Sequence, residues 1–178
     1  MITQKQLKEL LDYDPETGLF TWLERSLDKF KSEKIGIRWN TKFSGKITGC
    51  LHSSGYKIIT INNHPYRSHR LAWLYVYGEI PETIDHINHD RTDNRIINLR
   101  NTCSIGNARN SKLRENNKSG VMGVVWVEKQ NKWRVLIYDN RKQIHLGYFA
   151  DFLSAVCKRK SEELNFNYHE NHGKKESL

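Results

Sequence analysis

The chain has 178 residues, enough for one ordinary domain or two small ones, and 37% hydrophobic with 28% charged residues describes a folded protein rather than a disordered one. Its apolar runs are short, as at Leu71 to Leu74, Met1 to Leu11 has no signal-peptide character, and Cys50, Cys103 and Cys157 are widely spaced. These features exclude a membrane span, a disulfide framework and paired-cysteine zinc spacing, and place the protein in the cytoplasm with no membrane partner. Lys and Arg number 29 against 20 acids, net +9, and nine of the basic residues against three acids fall between Asn101 and Ala150, so a polyanion is the expected partner.

Residues 3–12 place Leu7, Leu10 and Leu11 behind a Thr3 cap and read as a short amphipathic helix, followed by a turn at Asp14–Gly18 and a strand at Phe20–Trp22. Glu24 to Thr41 is polar, basic and without a clear period, which predicts loop or partial order; its Lys and Arg could track a phosphate strand. Tyr56–Ile61 with Asn62-Asn63 predicts a hairpin, and His69 to Tyr77 a buried helix closed by Gly78. After an Asn-rich linker, Gly123–Val127, Lys132–Tyr138 and Gln143–Phe149 read as three strands with turns at Glu128–Asn131 and Asp139–Lys142. Alternation on the second strand puts Trp133, Val135 and Ile137 on one face, for the helix, and Lys132, Arg134, Leu136 and Tyr138 on the other, for phosphate. Asp151 caps a final helix to Asn165 whose apolar residues are Phe152, Ala155, Val156 and Leu164; His169 to Leu178 reads as a polar, frayed tail.

Asn, Asp and His crowd residues 79–110, where chemistry is most plausible. Hydrolysis of a phosphodiester needs a base for water, a cation to neutralise charge growing on the phosphate, and stabilisation of the leaving oxygen. Asp85 and His86 provide a carboxylate beside an imidazole; on a strand they point to opposite faces, so both reach one site only where the strand runs into an irregular loop, which residues 88–97 offer. Asn98 can accept from one ring nitrogen of His86 and fix its tautomer, and Ser104 can cap a short helix that returns the oxygen of Asn107 toward Asp85. One carboxylate and one amide make a hard oxygen site suited to Mg²⁺ or Mn²⁺. Side chain to backbone turns account for such a composition equally, whereas a calcium loop lacks its ligand spacing and central Gly, and zinc through His86, His89 and Cys103 lacks a fourth ligand.

The run Ser68-His-Arg-Leu-Ala-Trp73, then Asp85-His86, Asp93-Asn94-Arg-Ile-Ile-Asn98-Leu-Arg100 and Asn107 resembles the HNH endonucleases of phages and mobile introns over residues 45–110. That resemblance implies a ββα-metal finger in which Asp85 and Asn107 hold one divalent cation, Mg²⁺ or Mn²⁺, His86 is the general base and Asn98 orients it. Asn94, His69 and Arg70 match supporting positions, the last two expected to brace the fold. Ser119–Trp126, Lys132-Trp-Arg134, Ile144–Phe149 and the helix after them resemble an AP2 domain over residues 119–167, which implies a three-stranded sheet laid in the DNA major groove. Where plant members read bases with arginines, the first strand here has Met122, Val125 and Val127, so a plant-type sequence preference does not transfer. Lys129, Lys132, Arg134, Arg141 and Lys142 are expected to contact phosphate, with Trp126 and Tyr138 beside them; His145 and Tyr148 are expected to lack chemical roles.

The expected fold class is therefore α+β, with an HNH core followed by a small antiparallel sheet and helix. The expected divisions are 1–44, an N-terminal helix and basic extension; 45–110, nuclease core; 111–118, linker; 119–167, DNA-binding module; and 168–178, tail. The implied function is homing-type, metal-dependent cleavage of double-stranded DNA to 5′-phosphate and 3′-hydroxyl ends, by one copy on the DNA without a small-molecule cofactor, in the host-cell cytoplasm if phage-encoded. The competing expectation is a non-catalytic DNA-binding regulator that retains the nuclease core as scaffold.

Overall fold

The computed structural model describes residues 2–174, and the chain divides into two compact units, Met1–His86 with Asp90–Asn101, and Ile87–His89 with Thr102–Leu178. The secondary structure is mixed α and β with small antiparallel sheets, consistent with the expected α+β class. Among the described residues no helix is long and apolar enough to cross a membrane.

The first unit opens with α1 (Gln4–Leu10), started by a capping box in which Thr3 Oγ1 accepts from Gln6 N and Gln6 Oε1 accepts from Thr3 N. Strands β1 (Leu11–Asp14) and β2 (Leu19–Trp22) pair so that Leu11 faces Trp22 and Tyr13 faces Phe20, putting four large side chains on the core side of one ribbon. Their turn ends at Gly18, φ +71°, where a Cβ would collide with the backbone of Asn94 and Arg95. Pro15 O accepts from Ile96 N, so this turn buttresses the later segment directly.

The stretch expected to be loop, Glu24 to Thr41, instead contains α2 (Glu33–Phe43). Its anchoring residues are Gly36, Trp39 and Phe43, a helical spacing diluted by charged neighbours and by Ile35 and Ile37, which stay exposed. Gly36 lies under the side chains of Leu27 and Phe30, and Trp39 and Phe43 pack onto the core. Short strands β3 (Ile47–Thr48) and β4 (Cys50–Leu51) follow, joining β2 and β5 respectively. The expected hairpin is β5 (Lys57–Ile61) and β6 (His64–Arg67), turned by Asn62 and Asn63 at φ 49° and 65°. Helix α3 (Ser68–Tyr77) ends at left-handed Gly78 as expected, burying Leu71, Ala72 and Leu74 while Val76 and Tyr77 face out. Strands β7 (Ile84–His86) and β8 (Leu99–Asn101) pair antiparallel.

In the second unit, α4 (Ser104–Ala108) precedes the sheet of β9 (Val124–Val127), β10 (Lys132–Asp139) and β11 (Lys142–Phe149), ordered β11-β10-β9, with α5 (Phe152–Asn165) capped by Asp151. Val124, Val135 and Ala155 form its buried core. The expected apolar face of α5 is only partly realised: Leu164 and Phe152 are exposed, while Ala155, Arg159 and Glu163 point inward at four-residue spacing. Arg159 donates to Glu163 Oε1 (3.0 Å) and to Leu136 O (2.7 Å), and its Nη2 meets His172 Nε2 at 3.3 Å. Gly123, φ +76°, leaves room for that guanidinium; a Cβ there would strike Leu136 O.

The segment expected as linker packs Leu113 into the unit, and the expected frayed tail is held over its described part. His169 N donates to Arg109 O, Gly173 N to Ser111 O and Leu113 N to Lys174 O, while Asn171 Nδ2 reaches Ile87 O; residues 175–178 lie outside the described residues.

Candidate nuclease site and nucleic-acid surface

Asp85 and His86 occupy the end of β7, opposite Arg100 and Leu99 of β8. Arg100 donates to Asp85 Oδ2 from Nε (3.1 Å) and Nη2 (2.8 Å), fixing the carboxylate. His86 is buried, and its Nε2 stands 3.2 Å from Asn94 Oδ1. In the tautomer with the proton on Nε2, the ring donates to that amide oxygen and carries its basic lone pair on Nδ1. Burial holds the His86 pKa below its ordinary value, against the opposing effects of the Asn94 hydrogen bond and the Asp85, Asp90 and Asp93 charges, so the neutral ring is favoured.

Asn94 was expected only as support, yet it supplies this contact to the imidazole. It is itself among the most buried residues, and its carbonyl accepts the Tyr13 hydroxyl at 2.7 Å. Asn98, expected to orient the ring, donates from Nδ2 to Asp93 O at 2.8 Å. Asp90 and Asp93 form the local turns that such a composition favours: Asp90 Oδ1 accepts from Thr92 N and Oγ1, and Asp93 accepts from Arg95.

His69 is buried with its ring centroid 5.0 Å from that of His86, and burial, with the nearby His86, Arg67 and Arg70, lowers its pKa to about 3. Arg70 donates to the carbonyls of Pro81 and Glu82, bracing the segment that leads into β7. Sequence reasoning missed Tyr56, Arg67 and Arg91. The Tyr56 ring lies 5.1 Å from His69 and 6.0 Å from His86, with the Arg67 and Arg91 guanidiniums 4.7 and 5.0 Å from its centroid. Arg91 is steadied by Ser54 O at 3.0 Å. Position in the sequence offered one signal, Arg67 immediately before the Ser68-His69-Arg70 run; Tyr56 and Arg91 are set apart only by packing.

Among the described residues no group of three or more His, Cys, Asp or Glu is arranged to hold a metal ion. Of the expected cation ligands, Asp85 is a half-buried carboxylate held by Arg100. Asn107 lies exposed on α4 in the second unit, its N–H bonded to Cys103 O.

On the sheet of the second unit, Lys132, Arg134, Leu136 and Tyr138 share one face, with Val125 across from Arg134 on β9 and Tyr148 and His145 across on β11. Lys129 lies in the turn after β9, and Arg141 and Lys142 at the β10–β11 turn, where Asn140 and Arg141 are left-handed. Among the described residues none of these five cations makes an ion pair. Trp126 departs from expectation: it pairs across the sheet with Trp133, ring centroids 5.1 Å apart, and Trp133 packs on Phe152 of α5, so Trp126 belongs to the helix side. A four-residue strand gave too little alternation to assign its face; the β10 register decides it.

Residues 66–102 match the HNH endonuclease family, a span that includes His69, Arg70, Asp85, His86, Asn94 and Asn98. The chain is 32% identical over 93 residues to Protein 3.8 of Escherichia phage T7, covering 51% of this chain and 76% of that protein. No solved structure matches.

Proposed function

The chain belongs to the HNH endonuclease family, and on that premise we propose that it is a metal-dependent, homing-type DNA endonuclease whose C-terminal unit is an AP2-like DNA anchor. The observation that carries this reading is the buried His86 next to Asp85, with its Nε2 3.2 Å from the Asn94 amide oxygen. His86 Nδ1 takes a proton from water as the water attacks phosphorus; Asn94 holds the ring in the tautomer that can do so, and Asn98 steadies the loop that carries Asn94. Asp85, oriented by Arg100, is the proposed holder of one Mg²⁺ or Mn²⁺. The cation, when bound, neutralises charge developing on the phosphate and the 3′ oxygen. Arg67 and Arg91 add positive charge at the Tyr56 ring, which itself neighbours the two histidines, and would help to position a phosphate. The products are 5′-phosphate and 3′-hydroxyl ends.

Lys129, Lys132, Arg134, Arg141 and Lys142, with Tyr138, grip the DNA backbone from the outer face and turns of the sheet. The relative's phage origin supports action on DNA in the host-cell cytoplasm. The test is supercoiled plasmid incubated with Mg²⁺ or Mn²⁺ and with chelator. Nicked or linear product that requires the metal, and is abolished by His86→Ala with DNA affinity kept within a few fold, is expected. Equal cleavage by His86→Ala overturns the assignment, and DNA binding without cleavage in any metal makes the protein a regulator.

A further inference from the structure

The helix that the sequence did not reveal frames a cavity of about 650 Å³ in the first unit, between α2, β3 and β5, whose walls include Trp22, Arg25, Trp39, Lys42, Phe43 and Lys46. No acidic residue lines it, in a chain with 20 of them; the neighbouring cavity of about 670 Å³, which Arg25 also lines, takes in Glu9 and Glu24. Arg25 is held unusually firmly for a surface arginine. Asn40 grips its backbone from both sides, Oδ1 accepting from Arg25 N (3.1 Å) and Nδ2 donating to Arg25 O (2.8 Å). Its guanidinium lies 4.2 Å from the Trp39 ring centroid and 4.9 Å from that of Trp22. Among the described residues Arg25 has no carboxylate in ion-pair reach, and its Nε is buried without a hydrogen-bond partner.

Stacking on aromatic faces pre-orients a guanidinium but leaves its N–H donors to be satisfied by something else. Lys42 and Lys46, both exposed, add charge of the same sign to the same cavity. An arginine stacked on two indole rings, two exposed lysines and no acid is the chemistry of a phosphodiester contact. We propose that this cavity is a second DNA-backbone site, separate from the sheet of the C-terminal unit, which takes phosphates of the duplex through Arg25, Lys42 and Lys46. The inference rests on the reading of DNA as the partner but not on cleavage.

The test measures the affinity of full-length protein for duplex DNA in chelator across a salt series. Neutralising Arg25, Lys42 and Lys46 to Gln is expected to reduce the slope of log K against log salt by about 0.9 for each lost contact, and to weaken binding about tenfold or more near physiological salt. Lys5 and Lys8, exposed on α1 and outside the cavity, changed to Gln give the control for net charge against the Lys42, Lys46 pair, and their slope should stay close to wild type. If Arg25→Gln fails to fold, the Lys42→Gln, Lys46→Gln pair still predicts a slope loss approaching 2, about 0.9 for each. An unchanged slope in the cavity variants, or an equal loss in the control, overturns the proposal. So does a melting-temperature rise with inorganic phosphate or a mononucleotide that Arg25→Gln abolishes while the DNA slope stays put, which would make it a small-anion site. Failure of the wild type to cut plasmid would remove the nuclease reading and leave this binding result intact.

Discussion

Replacing Asn94 by Ala isolates the contact on which the proposed chemistry turns. The side chain is almost wholly buried, so its removal leaves His86 Nε2 facing a small void in place of an acceptor. An unsatisfied buried donor costs about 1–3 kcal/mol, and the backbone carbonyl of residue 94, which Ala retains, keeps its bond from Tyr13. The unit should therefore remain folded with a lowered melting temperature. With Nε2 released, the imidazole can exchange tautomers and rotate, and much of the advantage of a positioned base is lost. That advantage is worth about 10²–10⁴-fold, so single-turnover cleavage of plasmid at saturating metal should slow about a hundredfold, or ~2.7 kcal/mol, with DNA affinity nearly unchanged. A rate within about threefold of wild type in a folded variant would refute the orienting role. A larger loss from Asn98→Ala than from Asn94→Ala would return that role to Asn98.

Gly18→Ala should destabilise the first unit by about 1–3 kcal/mol in denaturant titrations and slow cleavage, because its Cβ must push the Asn94–Arg95 backbone aside; wild-type stability would show that the turn yields freely. Arg159→Ala removes one of the two cations on Glu163, leaving Lys160 Nζ at 2.7 Å, and takes the donor from Leu136 O; it should cost about 1–3 kcal/mol in chemical unfolding, and no measurable loss would show that Lys160 and solvent compensate fully. His172, beside Arg159 and Lys160, is pushed down by burial to about 4 in the folded state, so its contribution is complete above the unfolded value near 6.5 and is lost as pH falls. About 3 kcal/mol should disappear between pH 6.5 and 4, and His172→Gln should flatten that part of the stability curve. Arg67→Ala and Arg91→Ala should each weaken cleavage more than Arg→Lys at the same position; identical losses for Ala and Lys would indicate that stacking on Tyr56, not charge, is at stake.

Short-range chemistry was legible in the sequence. The Thr3 and Asp151 caps, the Asn62-Asn63 turn, Gly78 after α3 and the alternation along β10 each depend on a handful of neighbouring residues, and the elements they announce are present. The nomination of Asp85, His86, Asn94 and Asn98 as site candidates was also a local reading, because these residues lie within fourteen positions of one another, whereas Asn107 lies further along the chain. What tertiary structure alone decided is of another kind. Helix α2 depends on a core supplied by β2 and on Leu27 and Phe30 closing over Gly36, so its own polar sequence carried a weak period. The inward turn of Arg159 is met by Leu136 O and His172, partners 23 and 13 residues away, and that of Glu163 by Arg159 and Lys160. Asn94 holds His86 because the N-terminal ribbon, some eighty residues earlier, presses Gly18 and the Tyr13 hydroxyl against its backbone. Residue type can nominate an amide for such a task, but which amide faces the ring is settled by long-range contacts whose partners no local window contains.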